Sequence, residues 1–332
     1  MPADVHIQRA TETDVDRILD LLEAVAAEDR WIATQPPIDR ERRTASMLAT
    51  IGRADAALFV AVRDGAIVGE LGLYPGWPGV YDLATLVARS QRGAGIGSAL
   101  MTAGIDWANS MHAHKIALEV FPWNDGAIGL YTKFGFLHEG YHRRHLRRRN
   151  GELWDVIAMG LLLGRYDPPE DEVVTIGDVQ IRAAQRSESE ALAHLRHALW
   201  PDASYEEHLA DARKVFDGVA SSLPLVDFVA LRHGKLVGFI EVGMRSHANH
   251  CDPTMPIGFI EGLFVDEAVR QRGIGRALVG AAEEWARRHG CKEMASDALI
   301  DNAVSQLAHE KLGYVVANRC TDFHKSLKDV EH

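Results

Sequence analysis

Apolar residues follow two spacings along this chain, and the succession of spacings runs through twice. β-type runs at Val5–Arg9, Leu83–Val87 and Ile116–Val120 predict strands, and Leu58–Leu73 predicts a hairpin turning at a glycine. Val179–Arg182, Phe228–Val242, Gly258–Val265 and Glu293–Ser296 predict the same set again. A helix is expected after each first strand, at Asp14–Glu28 and at Glu188–Leu199. Later in each pass, Leu100, Ala103, Gly104 and Trp107 recur at i, i+3, i+4 and i+7, as do Leu278, Ala281, Ala282 and Trp285. That spacing marks one buried helix face.

Short motifs set the distance between the passes. Val5-x-Ile7-x-x-Ala10 returns as Val179-x-Ile181-x-x-Ala184, an offset of 174. Arg63-Asp64-Gly65 returns as Arg232-His233-Gly234 at 169, and Asn124 and Gly135 return as Asn302 and Gly313 at 178. Repetition over this length means two copies of one structural unit. The second copy gains nine residues around Ser246 to Pro256, a polar loop of the kind that carries specificity. Each copy is expected to close with a helix and then a strand or hairpin; in the first, Asn150-Gly151 is a hairpin-turn signal. Pro168-Pro169 among charged residues reads as a linker. The expected organisation is an α/β (α+β) chain with domains at 1–166 and 176–332 and a linker at 167–175.

Both copies contain a strand, a glycine-rich turn and a helix: Arg92-Gly93-Ala94-Gly95-Ile96-Gly97-Ser98 and Arg270-Gln271-Arg272-Gly273-Ile274-Gly275-Arg276. Glycines let backbone approach a ligand, and free N–H groups at a helix start attract phosphate. One such motif is a weak signal; two in register are a stronger one.

Composition narrows the partners. The chain has 332 residues and only three cysteines, Cys251, Cys291 and Cys320, which suggests a reducing cytoplasm and neither a disulfide framework nor a zinc site. No stretch reads as a transmembrane span or signal peptide. The net charge of −11 divides into −3 up to Asp167 and −8 after it. An acidic second half disfavours nucleic acid and suits a cationic partner. The basic run His142–Arg149 lies on a strand entering a turn and reads as a solvated hairpin face.

The order strand, Arg-x-x-Gly-x-Gly, helix, strand, Asn, Gly-aromatic resembles the GNAT superfamily of acetyl-CoA-dependent N-acetyltransferases in both halves. The second half is similar to the aminoglycoside 6′-N-acetyltransferases over nearly its whole length. The matching pieces are Leu195–Asp202, Glu261–Val265, Glu284-Trp285-Ala286, Gly290–Asp297, Asn302, Ser305, His309, Leu312-Gly313-Tyr314 and Phe323-His324-Lys325. The resemblance implies two tandem domains, each a mixed, mostly antiparallel twisted sheet flanked by helices. It implies acetyl-CoA as acetyl donor and a cationic small-molecule amine, an aminoglycoside, as acceptor. It implies no nucleic-acid or membrane partner and leaves a homodimer open.

Acetyl transfer to an amine needs a base for the ammonium proton, stabilisation of the carbonyl oxygen, and a proton for the departing thiolate. The resemblance places the donor's diphosphate on Arg272, Gly273, Ile274, Gly275 and Arg276 after Arg270, and on Ala94, Gly95, Ile96, Gly97 and Ser98 after Arg92. It places the pantetheine along Leu263, Phe264 and Val265, and along Thr85 to Val87. Asn124 and Asn302 match a residue contacting the donor's arm, although Asn at these places is also a helix N-cap. Asp297 matches the catalytic aspartate, with Glu119 its counterpart at the same offset. Tyr131 matches the usual proton donor, and His309 stands at its place in the second half. Glu261, Trp200 and Asp202 fall at substrate positions; for Trp200 a core role is the alternative. Departures at Ala248 and Asn318 leave the acceptor spectrum open. So do a tandem enzyme resembling mycothiol synthase, which the acidic second half disfavours, and a first half that only senses acetyl-CoA.

Overall fold

The computed structural model describes residues 4–164, 173–321, 323, 325 and 326, so the expected linker residues 167–172 and His324 lie outside it. The chain divides into two compact units, Met1–Tyr166 and Asp167–His332.

In the first unit the elements run β1 (Val5–Arg9), α1 (Val15–Ala26), α2 (Arg40–Ile51), β2 (Ala57–Arg63), β3 (Ala66–Pro75), β4 (Val80–Val87), α3 (Ile96–Ser110), β5 (Lys115–Val120), α4 (Asp125–Lys133), β6 (Leu137–Arg147) and β7 (Leu153–Leu162). The sheet order is β1-β2-β3-β4-β5-β7-β6. Only β4 and β5 pair in parallel; β6 turns back on β7 through Asn150-Gly151, and β7 then fills the place beside β5. Alternating strand residues feed a core of Leu71, Leu73, Leu83, Ile116 and Leu118, onto which α3 lays Leu100, Met101 and Ala108. Gly104 allows the close approach: a Cβ there would meet Leu71 Cδ2 at 2.8 Å.

The second unit runs β8 (Val174–Ile176), β9 (Val179–Ala183), α5 (Ser189–Leu199), α6 (Tyr205–Phe216), β10 (Leu225–Arg232), β11 (Lys235–Arg245), β12 (Ile257–Val265), α7 (Ile274–Arg288), β13 (Met294–Ser296) and α8 (Ala303–Lys311). Its sheet order is β13-β12-β11-β10-β9-β8, again with one parallel pair, β12 and β13. Both sheets are thus mixed and mostly antiparallel, with helices on them, as the resemblance implies. Among the described residues no helix is long and apolar enough to cross a membrane.

Two expectations need correction. The second unit has no closing strand or hairpin among the described residues after α8. The first unit's closing pair spans Leu137–Leu162 and turns at Asn150-Gly151; the described residues beyond Leu312 carry no such turn signal. The basic run, in turn, is not all solvated. Arg148 is buried, donates to the carbonyls of Ile32 and Ala33 at 3.2 Å and to Asp29, and stacks on Trp154 with its guanidinium carbon 4.0 Å from the ring centroid. Arg149 reaches the carbonyls of Pro36 and Pro37. A planar fork with several donors suits a loop rich in unpaired carbonyls.

One buried carboxyl sets a pH dependence. Glu70, on β3, is 7 % exposed, and burial pushes its pKa from the ordinary 4.5 up to about 7, with the Arg43 charge pulling the other way. The native state therefore holds an extra proton. Stability from this group is full in acid and is lost as pH rises from 4.5 through about 7. At about 1.4 kcal/mol per unit, that amounts to about 3 kcal/mol. Glu70→Gln is expected to match the parent at the acid end and to exceed it at about pH 8, with the difference read from urea midpoints across pH. Parallel pH curves would remove Glu70 as the cause.

Candidate active site

In each unit the two parallel strands pair only where they begin. β4 meets β5 at Val80–Lys115, Tyr81–Ile116 and Asp82–Ala117, yet β4 runs on to Val87 and β5 to Val120. β12 meets β13 at Gly258–Met294, Phe259–Ala295 and Ile260–Ser296, yet β12 runs on to Val265. Past Asp82 and Ile260 the strands part. Backbone N–H and C=O groups of the following residues then face an opening instead of a neighbour, and such groups need a partner.

The glycine loop follows at once. Gly95 is the N-cap of α3 with φ 81°, and Gly273 is the N-cap of α7 with φ 84°; neither helix start has a side-chain cap. The first intrahelical bonds are Ala99 N–H to Gly95 O at 3.1 Å and Ala277 N–H to Gly273 O at 3.0 Å. The N–H groups of Ile96, Gly97 and Ser98, and of Ile274, Gly275 and Arg276, are left over at the positive end of the helix dipole. A second left-handed residue precedes each cap, Gly93 at φ 78° and Gln271 at φ 64°. Around Gly93 and Gly273 no atom stands within 4 Å of where a Cβ would lie. These observations fit a diphosphate: donors without partners, in open space, on a tight backbone.

The two arginines that open the motifs have other work. Arg92 Nε donates to Val87 O at 3.2 Å, and Arg270 Nε donates to Val265 O at 2.8 Å. Arg92 also grips Glu28 at 2.6 and 2.8 Å, which is the first cause of that carboxyl's lowered pKa, and Arg270 reaches Glu267. In both units this arginine ties the strand's last carbonyl to the loop. Asn124 and Asn302 cap α4 and α8, accepting from Ala127 N–H at 3.3 Å and Ser305 N–H at 3.0 Å. The Thr85 hydroxyl donates to Glu70 O, while Leu263 and Val265 pack on the core beneath α7. Ala94 is half-buried and Arg272 is exposed; Arg276 lies against Lys311 O at 3.5 Å.

In the second unit Asp297 follows β13 directly. It is exposed, and its carboxylate makes no hydrogen bond among the described residues. Ser296, just before it, has its hydroxyl 3.0 Å from His309 Nε2. The other ring nitrogen, Nδ1, lies 2.8 Å from Ser305 O, and Ser296 Oγ also lies 3.3 Å from Ile260 O. Glu261 stands one residue past the last β12–β13 pair. Across the other side, Glu241 pairs with Gly262 and Val242 with Ile260, so Glu261 is the extra residue of a β-bulge. Its carboxylate already holds Arg245, at 2.6 and 3.0 Å, and Arg245 lies on the Phe259 ring. Leu83, at the matching place in the first unit, pairs regularly with Leu73.

Trp200 ends α5 and lies over the backbone of Gly262, where a Cβ would meet its ring at 2.4 Å. It is half-buried against the cluster of Leu192, Val229 and Phe239, so it is at least a core residue. Beneath it Arg196 pairs with buried Glu241 and stands 3.9 Å from buried Asp227. Burial raises both carboxyls, and the Arg196 charge opposes it. Asp202 is exposed beyond Trp200. The inserted loop folds back: Ala248 and Cys251 pack on Phe259, and Asp252 N–H bonds to Glu293. Sequence reading missed Arg245, Ser296 and the Arg196 network. Asp227 and Glu241, lone carboxylates inside apolar strand runs, were the available signal.

In the first unit Glu119 is half-exposed on β5 and faces His142 and His145 instead of standing free. Tyr131 is 6 % exposed on α4, and burial raises its pKa to about 12.

Gly273→Ala puts a β-carbon into the open cradle and forces a left-handed φ on a residue that disfavours it by about 1–2 kcal/mol. Acetyl-CoA affinity of the second unit is expected to fall about tenfold or more, read by calorimetry. An unchanged isotherm would separate this glycine from the donor.

The description acetyltransferase (GNAT) family matches residues 21–136 and again 190–314. An aminoglycoside N(6′)-acetyltransferase type 1 of Salmonella typhimurium is 34% identical over 148 residues, which is 44% of this chain and 99% of that protein. A protein of the same description from Serratia marcescens is 36% identical over 134 residues, 40% of this chain and 89% of its own. Among solved structures, AAC(6′)-Iy in complex with the bisubstrate analog CoA-S-monomethyl-acetylneamine is 33% identical, covering 45% of this chain and 99% of its own, at a TM-score of 0.42. Each relative is thus the length of one unit. Members of the matched family draw the acetyl group from acetyl-CoA, the donor that the free N–H groups of both loops fit. With its two units matched separately over more than half its length, this chain belongs to the acetyltransferase (GNAT) family.

Proposed function

We propose that the second unit acetylates the 6′-amine of an aminoglycoside antibiotic, and so confers resistance in the cytoplasm. The observation that carries this reading is the Asp297 carboxylate, without a hydrogen-bond partner among the described residues, beside the parting of β12 and β13, on a chain similar to aminoglycoside N(6′)-acetyltransferases. Bound acetyl-CoA supplies a thioester carbonyl open to attack. Asp297 binds the acceptor ammonium and takes one proton, freeing the lone pair. Backbone N–H groups of Leu263 to Val265 bind the carbonyl oxygen as charge builds on it. As the C–N bond forms and the C–S bond breaks, the nitrogen sheds a second proton. One of the two protons reaches the leaving thiolate by way of the Ser296–His309 pair, adjacent to Asp297, which is the route we assign, and the other goes to solvent.

Charge supports the acceptor class. Asp202 and Glu206 are exposed at the start of α6, and Glu207 is held ionised by the Ser204 backbone and hydroxyl. A polycation gains both affinity and encounter rate from such a rim. Trp200 supplies a flat wall above Gly262. Glu261 joins only if the acceptor displaces Arg245, so that pair sets a selectivity step. For the first unit the reading is a second acetyltransferase, with Glu119 as base and Tyr131 as proton donor for an amine of its own.

The test is acetyl-CoA-dependent thiol release by the whole chain over a panel of aminoglycosides, including one that lacks a free 6′-amine. Asp297→Ala is expected to lower kcat/KM by about 10²–10⁴ while acetyl-CoA binding persists. Turnover of the antibiotic lacking the 6′-amine would sink the regiochemistry. No turnover of any member, with donor binding intact, would sink the acceptor class.

A further inference from the structure

We propose that Glu119, His142 and His145 form a binding site for a divalent transition-metal ion of the zinc class in the first unit. The inference does not rest on the acetyl-transfer reading, and it competes with the role of Glu119 as base in the first unit. The three donor atoms lie within 4.8 Å of one another. Glu119 Oε1 is 3.5 Å from His142 Nδ1 and 3.3 Å from His145 Nε2. A tetrahedral ion with bonds of about 2.0–2.1 Å holds its ligands about 3.3–3.4 Å apart. The two separations to Glu119 match two edges of such a tetrahedron, and a central ion needs little rearrangement to enter.

The site is built by backbone, not by chance proximity of surface side chains. Histidines at i and i+3 on a regular strand point to opposite faces. Here the β6–β7 register jumps from His142↔Val156 to Leu146↔Trp154, so three residues oppose Asp155 alone. Arg144 takes φ 54° at the centre of this bulge. Asp155 holds it in shape, accepting from Arg144 N–H at 2.6 Å and from Tyr141 OH at 2.9 Å. The outcome is that the two rings stand 5.0 Å apart, centroid to centroid, over the same carboxylate. Asp155 also supplies negative charge beside Arg143 and Arg144, the cations nearest to it.

Imidazole nitrogens with one carboxylate oxygen suit zinc and its neighbours in preference to magnesium or calcium, which demand oxygen. All three side chains are close to half-exposed, at 45 to 49%, so an ion has an entry path and room for water at its remaining positions. Metal binding takes the Glu119 oxygen that a catalytic base would use, so an ion here and proton transfer at Glu119 exclude one another.

The test titrates the metal-stripped full chain with Zn²⁺ alone, in competition with a chelating indicator, and with Co²⁺ for its visible spectrum. The parent is expected to show one tight site per chain and an intense cobalt band. His142→Ala and His145→Ala are each expected to weaken that site more than about tenfold and to abolish the band. His142→Gln and His145→Gln keep the bulk of the rings and repeat the test if an alanine variant loses its fold. Equal stoichiometry and affinity in the parent and the folded histidine variants would overturn the proposal, as would magnesium competing equally with zinc.

Discussion

Everything at the site depends on two parallel strands that start together and then separate. Three residue pairs hold β4 to β5 and β12 to β13. Beyond them the backbone groups have lost their ladder. A sheet cannot leave such groups idle without cost, and here the opening they line is oriented by the paired part below it. The rest of the unit serves this wedge. The antiparallel strands β1 to β3 and β9 to β11 fix one arm; the helix returning from the glycine loop, packed on the same core, fixes the other. What lies at the mouth then differs between units: a bulge with Glu261 in one, and the regularly paired Leu83 in the other.

The arginine of the glycine motif adds a second constraint. Its Nε bonds to the final strand carbonyl, which ties the wedge to the glycine loop. A lysine could satisfy the carbonyl but could not also present a planar fork to Glu28, as Arg92 does. The motif's first residue is therefore explained by loop geometry as much as by the donor's charge.

Much of this was legible in the sequence, and the reason differs by element. β-type runs and the i, i+3, i+4 faces of α3 and α7 gave the strands and the main helices, because one-sided burial writes its period into the chain. α2 escaped because Arg40–Ile51 is poor in apolar residues and is held by Arg40 gripping Asp20 and Glu23. α6 announced itself through the capping box Ser204-x-x-Glu207, a signal not used. Arg148 was misread because the sequence showed a charged strand but not the carbonyl-rich loop at Ile32 to Pro37 that folds against it. The glycine loops could be read from their motif, whereas Asp297 was singled out only by the resemblance of Met294–Asp297 to the aminoglycoside enzymes. Arg245 on Glu261, and the histidines facing Glu119, are long-range contacts, and spacing along the chain carries no record of them.

The two units also record a history. The arginine tie, the left-handed glycine cap and the asparagine cap occur in both, at matching places. The residues at the mouth do not match: Leu83 against Glu261, Glu119 against Asp297, Tyr131 against His309. Duplication of an ancestral gene would leave this pattern if selection held fixed the half of each site that meets a common donor and released the side chains that handle the acceptor and the protons. On the proposed reading that division is possible because the donor would rest on backbone groups of β4, β12 and the glycine loops, whereas the positions that differ act through their side chains. Side chains at the mouth could then drift without disturbing the main chain on which the donor would rest.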